Sequence, residues 1–186
     1  FLEHYMKLLT NSIMDTDMKN LNQAALQILK TIKKDATIYV CGNGGSAAIS
    51  NHYVVDFLKF FREKTDYNPK IVSLSNNVET ITAISNDIDY KYIFSYQAEN
   101  LCNKNDLIII ISSSGNSKNI IELIKFAKKR KITTIGFSGF KGGYLKKNSD
   151  ISIHIEVQNY GISEDAHHIL MHAQLQYLIK LFGKKN

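Results

Sequence analysis

The chain has 186 residues, 44% of them hydrophobic, and its 23 Lys and Arg against 17 Asp and Glu give a formal charge of +6. At this length one core buries roughly 70% of the surface of the unfolded chain, so a single soluble domain spanning 1–186 needs neither disulfides nor a structural metal. The basic excess includes blocks such as Lys128–Lys131, which are typical of solvated helix ends and argue against a nucleic-acid partner.

Cysteine content and hydropathy predict the compartment. Cys41 and Cys102 are too few for a disulfide framework and favour a reducing environment. The longest apolar run, Leu107–Ile111, has the length of a strand, whereas a membrane span needs ~20 residues. Residues 1–5 do not resemble a signal peptide, because no basic segment precedes an apolar one. We therefore expect a cytoplasmic protein with no membrane partner.

The predicted elements begin with two helices, near residues 1–14 and 17–34, between which Asp15, Thr16 and Asp17 supply capping side chains. The helices have no strand to cross over to, so their apolar positions need cover from the sheet or from another subunit. These positions are Leu2, Tyr5, Met6, Leu9 and Ile13 in the first helix and Leu21, Ala25, Ile28 and Leu29 in the second. We expect another subunit to cover the first helix, which makes residues 1–34 an association segment.

Beyond residue 34, short β-branched runs alternate with longer segments of helical spacing. The predicted strands are 37–41, 70–74, 106–111, 132–137 and 150–155. The clearest helical segments are 46–63, 117–130 and 162–182. This alternation predicts an α/β fold in which helices cover both faces of a doubly wound, flavodoxin-like, five-stranded parallel sheet.

Two loops at the carboxyl ends of predicted strands have unusual compositions, and in a doubly wound sheet ligands gather at that edge. The glycine loop after the first strand is Gly42-Asn43-Gly44-Gly45-Ser46, and the serine loop after the third is Ser112-Ser113-Ser114-Gly115-Asn116-Ser117. Glycines allow close approach of the backbone, while helix N-terminal amides and serine hydroxyls suit a phosphate monoester. We predict phosphate binding; the alternative is two ordinary turns with Ser46 and Ser117 as N-caps. Neither loop has the Walker A or the G-x-G-x-x-G pattern.

Ionisable side chains crowd into two of the predicted helices. His52 and Asp56 stand at i and i+4, so they lie on one helix face. The last helix has five such residues within nine positions: Glu164, Asp165, His167, His168 and His172. Spacing alone selects Glu164, His168 and His172, which step by four. Imidazole nitrogen and carboxylate oxygen are donors that Zn²⁺ uses, so we predict a metal site; the alternative is a set of hydrogen-bonded histidines without a ligand.

Four motifs follow one another along the chain: Cys41-Gly42-Asn43-Gly44-Gly45-Ser46 with His52, Ser85-Asn86-Asp87, the serine loop, and Glu164-Asp165-Ala166-His167 with His172. In their order and spacing, through about residues 17–182, the chain resembles the sugar isomerase (SIS) domain of phosphoheptose isomerases, also called sedoheptulose 7-phosphate isomerases. The resemblance implies the SIS fold and a phosphorylated sugar as substrate.

Carried over by position, the resemblance implies a substrate site and a metal site. The substrate would contact Asn43, Gly44, Gly45, Ser46, Asn86, Asp87 and Glu164. Its phosphate would be held by Ser112, Ser113, Ser114 and Ser117. A zinc ion, one per subunit, would be bound by His52, Asp56, Glu164 and His172.

The resemblance also implies an activity and an assembly. The activity is the aldose–ketose isomerisation of sedoheptulose 7-phosphate to D-glycero-D-manno-heptose 7-phosphate, for bacterial lipopolysaccharide or capsule. A proton moves between C1 and C2 through an enediol(ate), which requires an acid, a base and charge stabilisation, and we expect Asp56 and His172 to be the acid–base pair. The family is homotetrameric, with active sites built from more than one subunit.

The sequence departs from the family pattern at two positions. Asp56 stands where the family usually has Glu, and Glu164 where it usually has Gln. Asp is shorter than Glu by about 1.5 Å. The charge of Glu164 strengthens cation binding but disfavours an anionic intermediate. The family makes His167 a neighbour of the metal, whereas helical spacing favours His168, and this choice stays open.

Two other functions fit the same motifs. One is a SIS isomerase that acts on a different sugar phosphate by the same mechanism. The other is a non-catalytic SIS adaptor that binds the bacterial replication initiator. Such adaptors are relatives that have lost part of the catalytic cluster. The presence of Asp56 and His172 favours the enzyme.

Overall fold

A five-stranded parallel sheet forms the centre of the computed structural model, which describes residues 1–184. The strands are β1 (Thr37–Gly42), β2 (Lys70–Ser73), β3 (Leu107–Ser112), β4 (Thr133–Ser138) and β5 (Ile151–His154). Their order is β2-β1-β3-β4-β5, and every neighbouring pair is parallel. This doubly wound order reverses direction between β1 and β3, which is where such sheets bind ligands. The predicted fold is confirmed, and the predicted strand ends agree with the observed ones to within one residue.

Helices surround the sheet on both faces. They are α1 (Leu2–Met14), α2 (Met18–Lys33), α3 (Gly45–Val55), α4 (Arg62–Lys64), α5 (Val78–Asp87), α6 (Ser95–Leu101), α7 (Lys118–Arg130), α8 (Gly143–Asn148) and α9 (Tyr160–Phe182). The short helices α5, α6 and α8 lie outside the predicted helical segments, because each buries only one or two side chains and so leaves a weak periodic signal. Within the described residues, none of these helices has the length and apolar content that a membrane span requires.

The helix predicted over 46–63 is continuous but changes its winding in the middle. A π-helical turn, Asp56–Phe61, joins α3 to α4. Such turns widen the helix locally and are frequent at functional sites. Here the turn begins at Asp56, and it buries Asp56 together with Phe57 and Phe61.

The two faces of the sheet carry separate cores. Alternate side chains of β3 point to opposite faces, so Ile109 and Ile111 join the core beneath α1, α2, α3 and α9, while Ile108 and Ile110 join the core beneath α5–α8. All six residues of β3 are buried, as expected of a central parallel strand. As a result, α3 and α9 lie side by side on one face, and their facing surfaces form part of the site described below.

The N-terminal helices differ in how much of their apolar surface the chain itself covers. The four apolar positions predicted for α2 are all buried in the core. Asp17 caps this helix, because its side chain accepts hydrogen bonds from the backbone amides of Lys19 and Asn20. Helix α1 buries only Leu9, and its side chains Leu2 and Met6 are exposed. Cover of α1 by another subunit therefore stays a prediction, and α2 is covered by the sheet.

Candidate active site

The glycine loop and the serine loop lie side by side, because they follow the adjacent strands β1 and β3. Two side-chain amides connect them. Asn43 Nδ2 donates to Asn119 Oδ1 at 3.0 Å, and Asn119 Nδ2 donates to Asn43 Oδ1 at 2.8 Å. Tyr90 Oη adds a third hydrogen bond to Asn43 Oδ1 at 3.0 Å. The sequence motifs indicate Asn43 but neither Asn119 nor Tyr90. The one feature of Asn119 that could have indicated a role is that it is a polar residue at a buried position of α7.

The serine loop presents hydroxyl groups at the N-terminus of α7. Ser112 and Ser114 accept hydrogen bonds from the amides of Gly115 and Asn116, at 3.2 and 3.3 Å. The buried Ser113 hydroxyl has no hydrogen-bond partner among residues 1–184. Ser117 occupies the N-cap position of α7, but its side chain makes no capping hydrogen bond. Hydroxyls without partners beside helix amides suit an anion.

The glycine loop begins α3 through a backbone that only glycine adopts easily. Gly44 has φ of +54° and is itself the N-cap, so Ser46 lies in the first turn and is not the cap. The alternative with Ser46 as an N-cap is therefore wrong, whereas Ser117 does occupy the N-cap position of α7, without a capping hydrogen bond from its side chain. Ser46 is buried at this point.

Glu164 of α9 lies directly against the glycine loop. The Glu164 carboxylate is so close to Gly45 that a side chain at position 45, even a single Cβ atom, would overlap the carboxylate. Burial, and then the negative charge of Asp165, raise the pKa of Glu164 above its usual value. The resemblance makes position 164 a metal ligand. In this chain the carboxylate of Glu164 lies at the backbone of the glycine loop.

A cluster of imidazoles and one carboxylate fills the groove between α3 and α9. His52 Nε2 lies 3.1 Å from His172 Nε2. The Asp56 carboxylate lies beneath them, with Oδ1 3.5 Å from His52 Nε2 and Oδ2 3.3 Å from His172 Nε2. Asp56 is only 3% exposed, whereas the His52 and His172 side chains are nearly half exposed. The predicted acid–base pair is therefore in contact.

His168 joins this cluster, and His167 does not. The His168 ring centroid is 4.7 Å from that of His52 and 4.4 Å from that of His172. Burial, and then the neighbouring His172 and His52, lower the pKa of His168. His167 is fully buried on another side of α9, with its ring centroid 6.0 Å from that of Phe137 in β4. The structure therefore supports the residue that helical spacing favours.

The cluster fits a metal ion. Nitrogen and oxygen donors held by one zinc ion at 2.0–2.2 Å in a tetrahedron are about 3.3–3.6 Å apart. His52 Nε2 and His172 Nε2 are 3.1 Å apart, and each lies 3.3–3.5 Å from one of the two Asp56 oxygens, Oδ1 for His52 and Oδ2 for His172. His168 also offers a nitrogen within 4.8 Å of the ligand atoms of His52 and His172. Asp56 Oδ2 is buried and accepts no hydrogen bond in the described part of the chain. A buried carboxylate oxygen of this kind is suited to binding a cation.

Asn86 and Asp87 are the predicted substrate residues that the structure does not connect to either loop. They end α5 and are exposed, and Asn86 Nδ2 donates to Asp87 Oδ1 at 2.8 Å. Within residues 1–184 this is the one hydrogen bond of either side chain. Tyr90, three residues beyond, is the residue of this region that reaches the glycine loop.

Comparison with known proteins places this fold and site in a family. A family model for the SIS domain matches residues 2–139, and the chain therefore belongs to the SIS domain family. Among its relatives, a phosphoheptose isomerase from Clostridium acetobutylicum is 38% identical over 159 residues, which cover 85% of this chain and 81% of that protein. A phosphoheptose isomerase from Campylobacter concisus is 32% identical over 163 residues, 88% of this chain and 86% of that one.

A solved structure shows the same similarity to phosphoheptose isomerases. The structure of a phosphoheptose isomerase from Neisseria gonorrhoeae superposes with a TM-score of 0.85 at 27% sequence identity. The match covers 95% of this chain and 94% of that one. The similarity therefore extends over nearly the whole of both chains.

Proposed function

We propose that the protein is a phosphoheptose isomerase, which interconverts sedoheptulose 7-phosphate and D-glycero-D-manno-heptose 7-phosphate through an enediol(ate) for bacterial surface heptose synthesis. The observation that carries the proposal is the contact between Asp56 and His172, at 3.3 Å, beside two loops suited to a phosphate ester. Identity of 38% and 32% to two phosphoheptose isomerases supports the choice of substrate.

The serine loop and the N-terminus of α7 bind the phosphate. Backbone amides of the helix N-terminus and the hydroxyls of Ser112, Ser113, Ser114 and Ser117 supply neutral donors to its oxygens. Binding at this distant group orients the sugar end of the substrate, so binding energy contributes to the reaction at C1 and C2. The glycine loop, with Asn43 held by Asn119 and Tyr90, contacts the sugar.

Asp56 and His172 move the proton between C1 and C2. A carboxylate and an imidazole are the side-chain groups that most often serve as general acid and general base, and here they are in contact. A zinc ion, when bound, supplies positive charge that stabilises the enediolate. It would be held by His52, Asp56, His172 and one of Glu164 and His168. A ring nitrogen that carries a proton cannot bind a cation. His172 could therefore be both a metal ligand and a proton-transfer group only if the other donors suffice to hold the cation.

We further propose that the protein assembles as a homotetramer with active sites at subunit interfaces. Support comes from apolar side chains exposed on α1 and around the π-helical turn, which are Phe1, Leu2, Met6, Met14, Val55, Leu58 and Phe60. The last three flank Asp56 in the chain. An interface formed there would lie next to the proposed site.

The experiment that tests the activity is conversion of sedoheptulose 7-phosphate to the aldose phosphate, followed with and without a chelator. We expect turnover by the wild-type protein, its loss with the chelator, and its return with Zn²⁺. Asp56→Asn and His172→Ala should each lower kcat by about 10²-fold or more, because each removes one proton-transfer group. Lys104→Ala, at an exposed position of a loop before β3, is the control. Full turnover by both site variants would refute the assignment, and a wild-type protein inactive on every phosphorylated ketose would refute the function.

A further inference from the structure

The phenol of Tyr90 reaches the glycine loop from the segment between α5 and α6. Its Oη atom donates a hydrogen bond to Asn43 Oδ1 at 3.0 Å. Tyr90 is 53% exposed and begins a short 3₁₀-helical turn, Tyr90–Tyr92. The two residues after the turn, Ile93 and Phe94, are buried in the core beneath α5–α8. The core therefore anchors the turn, and Tyr90 extends from it to the loop.

The hydrogen-bonding capacity of the Asn43 side chain is nearly used up within the protein. A side-chain amide has two lone pairs on its oxygen and two hydrogens on its nitrogen. Asn43 Oδ1 accepts from Tyr90 Oη at 3.0 Å and from Asn119 Nδ2 at 2.8 Å, so both lone pairs are engaged. Asn43 Nδ2 donates one hydrogen to Asn119 Oδ1 at 3.0 Å. Within the described residues, this leaves one hydrogen of Nδ2 for a ligand.

Tyr90 determines which end of the Asn43 amide is left for the ligand. Asn119 is 1% exposed, and it both donates to Asn43 and accepts from it. If both amides turned over, this reciprocal pair would persist with its donors and acceptors exchanged. The Tyr90 hydroxyl breaks the symmetry, because a phenol donates more readily than it accepts and so favours an oxygen opposite it.

We propose that Tyr90 is a positioning residue of the sugar site, which fixes the Asn43 side chain as a hydrogen-bond donor to a substrate oxygen. The inference rests on the proposed function in that the glycine loop contacts a phosphorylated sugar. The substrate atom at Asn43 is then an acceptor, such as a carbonyl or enediolate oxygen. An N–H donor stabilises such an oxygen more strongly as its negative charge grows.

Asn43→Asp tests the direction of this hydrogen bond. Aspartate preserves the shape and the acceptor oxygens but has no N–H group. We expect kcat/KM for sedoheptulose 7-phosphate to fall by about 100-fold, as it does when one donor to a developing oxyanion is removed, and we expect a weaker dissociation constant by calorimetry. Asn76→Asp adds the same charge at an exposed position after β2 and should change both constants by less than threefold. Wild-type constants in Asn43→Asp would overturn the inference.

A double-mutant cycle tests whether Tyr90 acts through Asn43. Tyr90→Phe removes the hydroxyl and retains the ring, and we expect kcat/KM to fall by about tenfold, mainly in kcat. In an Asn43→Ala background the same substitution should change kcat/KM by less than twofold. An equal loss in both backgrounds, or no loss in either, would overturn the inference.

Tyr96→Phe is the matched control for Tyr90→Phe. Tyr96 is 47% exposed on α6, and its hydroxyl makes no hydrogen bond among residues 1–184. This variant should have the constants of the wild type. Circular dichroism verifies that every variant is folded.

A measurement without substrate separates failure of this inference from failure of the proposed function. The side-chain NH₂ signals of Asn43 in ¹⁵N–¹H spectra are assigned by their loss in Asn43→Ala. They should shift in Tyr90→Phe and stay unchanged in Tyr96→Phe, and unshifted signals in Tyr90→Phe would overturn the inference. A wild type that binds sedoheptulose 7-phosphate without isomerising it would refute the activity alone, and the dissociation constants would then complete the cycle. A wild type that binds no phosphorylated sugar would overturn both.

Discussion

His167 and His168 are adjacent in the chain, yet their environments are opposite. Consecutive residues of an α-helix point about 100° apart, so one ring faces the sheet while the other faces α3. His167 is 0% exposed, and neither of its ring nitrogens has a hydrogen-bond partner within residues 1–184. Burial lowers the pKa of His167 from 6.5 to about 4. This imidazole is therefore neutral at pH 7 and lies in the core, while the ring of its neighbour lies against His52 and His172.

This shift makes stability depend on pH. The folded-state pKa lies below the unfolded value, so between pH 6.5 and pH 4 the unfolded chain binds a proton at His167 that the native chain does not. The stabilising contribution is therefore complete above pH 6.5 and is lost as the pH falls towards 4. We expect the free energy of unfolding to fall by about 3 kcal/mol over this range because of His167 alone.

The measurement is urea unfolding of the metal-free protein at pH 7, 5.5 and 4, in the presence of a chelator. His167→Leu removes the titrating group and retains an apolar side chain of similar size, so the difference between the two proteins isolates this residue. The other histidines titrate equally in both proteins. Parallel pH profiles for wild type and His167→Leu would contradict the prediction.

At the scale of the element, the serine loop and α7 act as one unit. Ser114 accepts a hydrogen bond from the Asn116 amide, and Asn119 in the first turn of α7 connects the helix to the glycine loop. The unit therefore fixes the position of the serine loop, the proposed phosphate site, relative to the glycine loop. The sequence predicts its parts by motif, but the amide pair between Asn43 and Asn119 joins residues 76 positions apart. No local pattern indicates such a contact.

A single hydroxyl of this unit should affect binding more than chemistry. Ser114→Ala removes one neutral donor to the phosphate, and this interaction is the same in the ground state and in the transition state. We expect KM for the phosphorylated sugar to rise by about tenfold, which corresponds to a hydrogen bond of about 1.4 kcal/mol, with kcat changed by less than twofold.

The control for Ser114→Ala is Ser149→Ala. The Ser149 hydroxyl donates to the Leu145 carbonyl at the end of α8, before β5 and so at the opposite edge of the sheet. Both steady-state constants of this variant should equal those of the wild type. A fall in kcat for Ser114→Ala without a rise in KM would show that the serine loop takes part in the chemical step.

The π-helical turn is the other element-scale feature that bears on the site. It begins at Asp56, widens the helix locally, and buries both Asp56 and Phe57. The hydrophobic spacing over 46–63 indicates a helix and cannot indicate this change of winding. Burial of Asp56 beneath the imidazoles therefore depends on the local geometry of the turn.

At the scale of the whole molecule, the surface is larger than expected of a monomer. The accessible area is 9946 Å², while monomeric proteins of 21.1 kDa average about 9,000 Å². Exposed apolar side chains on α1 and at the π-helical turn account for part of this surface.

Assembly is therefore expected to depend on these two segments. We predict a tetramer for the wild type by analytical ultracentrifugation. Met6→Lys and Phe60→Lys should lower the mass towards that of a monomer or dimer, because each places a charge in a buried apolar contact. Both side chains are exposed in the single chain, 60% and 44% respectively, so the substitutions leave its own core intact.

Leu101→Lys is the matched control for assembly. Leu101 is 46% exposed at the end of α6, on the other face of the sheet. This variant should keep the mass of the wild type. A monomeric wild-type protein at micromolar concentration, or a fall in mass for Leu101→Lys alone, would contradict the proposed interface.

The sequence by itself determines the sheet, its longer helices and the two loops at the strand ends. These features depend on local patterns: a continuous apolar run in β3, a period of 3.6 in α7 and α9, and glycines and serines at the strand-to-helix turns. Such patterns arise from backbone hydrogen bonding and burial within a short segment. They suffice to place His52 and Asp56 on one face of one helix and His172 on another helix.

The tertiary structure decides which way each helix faces and what each side chain meets. A rotation of α9 by about 100° would exchange His167 and His168, and the packing of α9 against α1, α2, α3 and β4 sets that rotation. The same packing brings Glu164 to Gly45, 119 positions earlier in the chain. Contacts between distant segments depend on the shape of the whole core, which local periodicity does not encode.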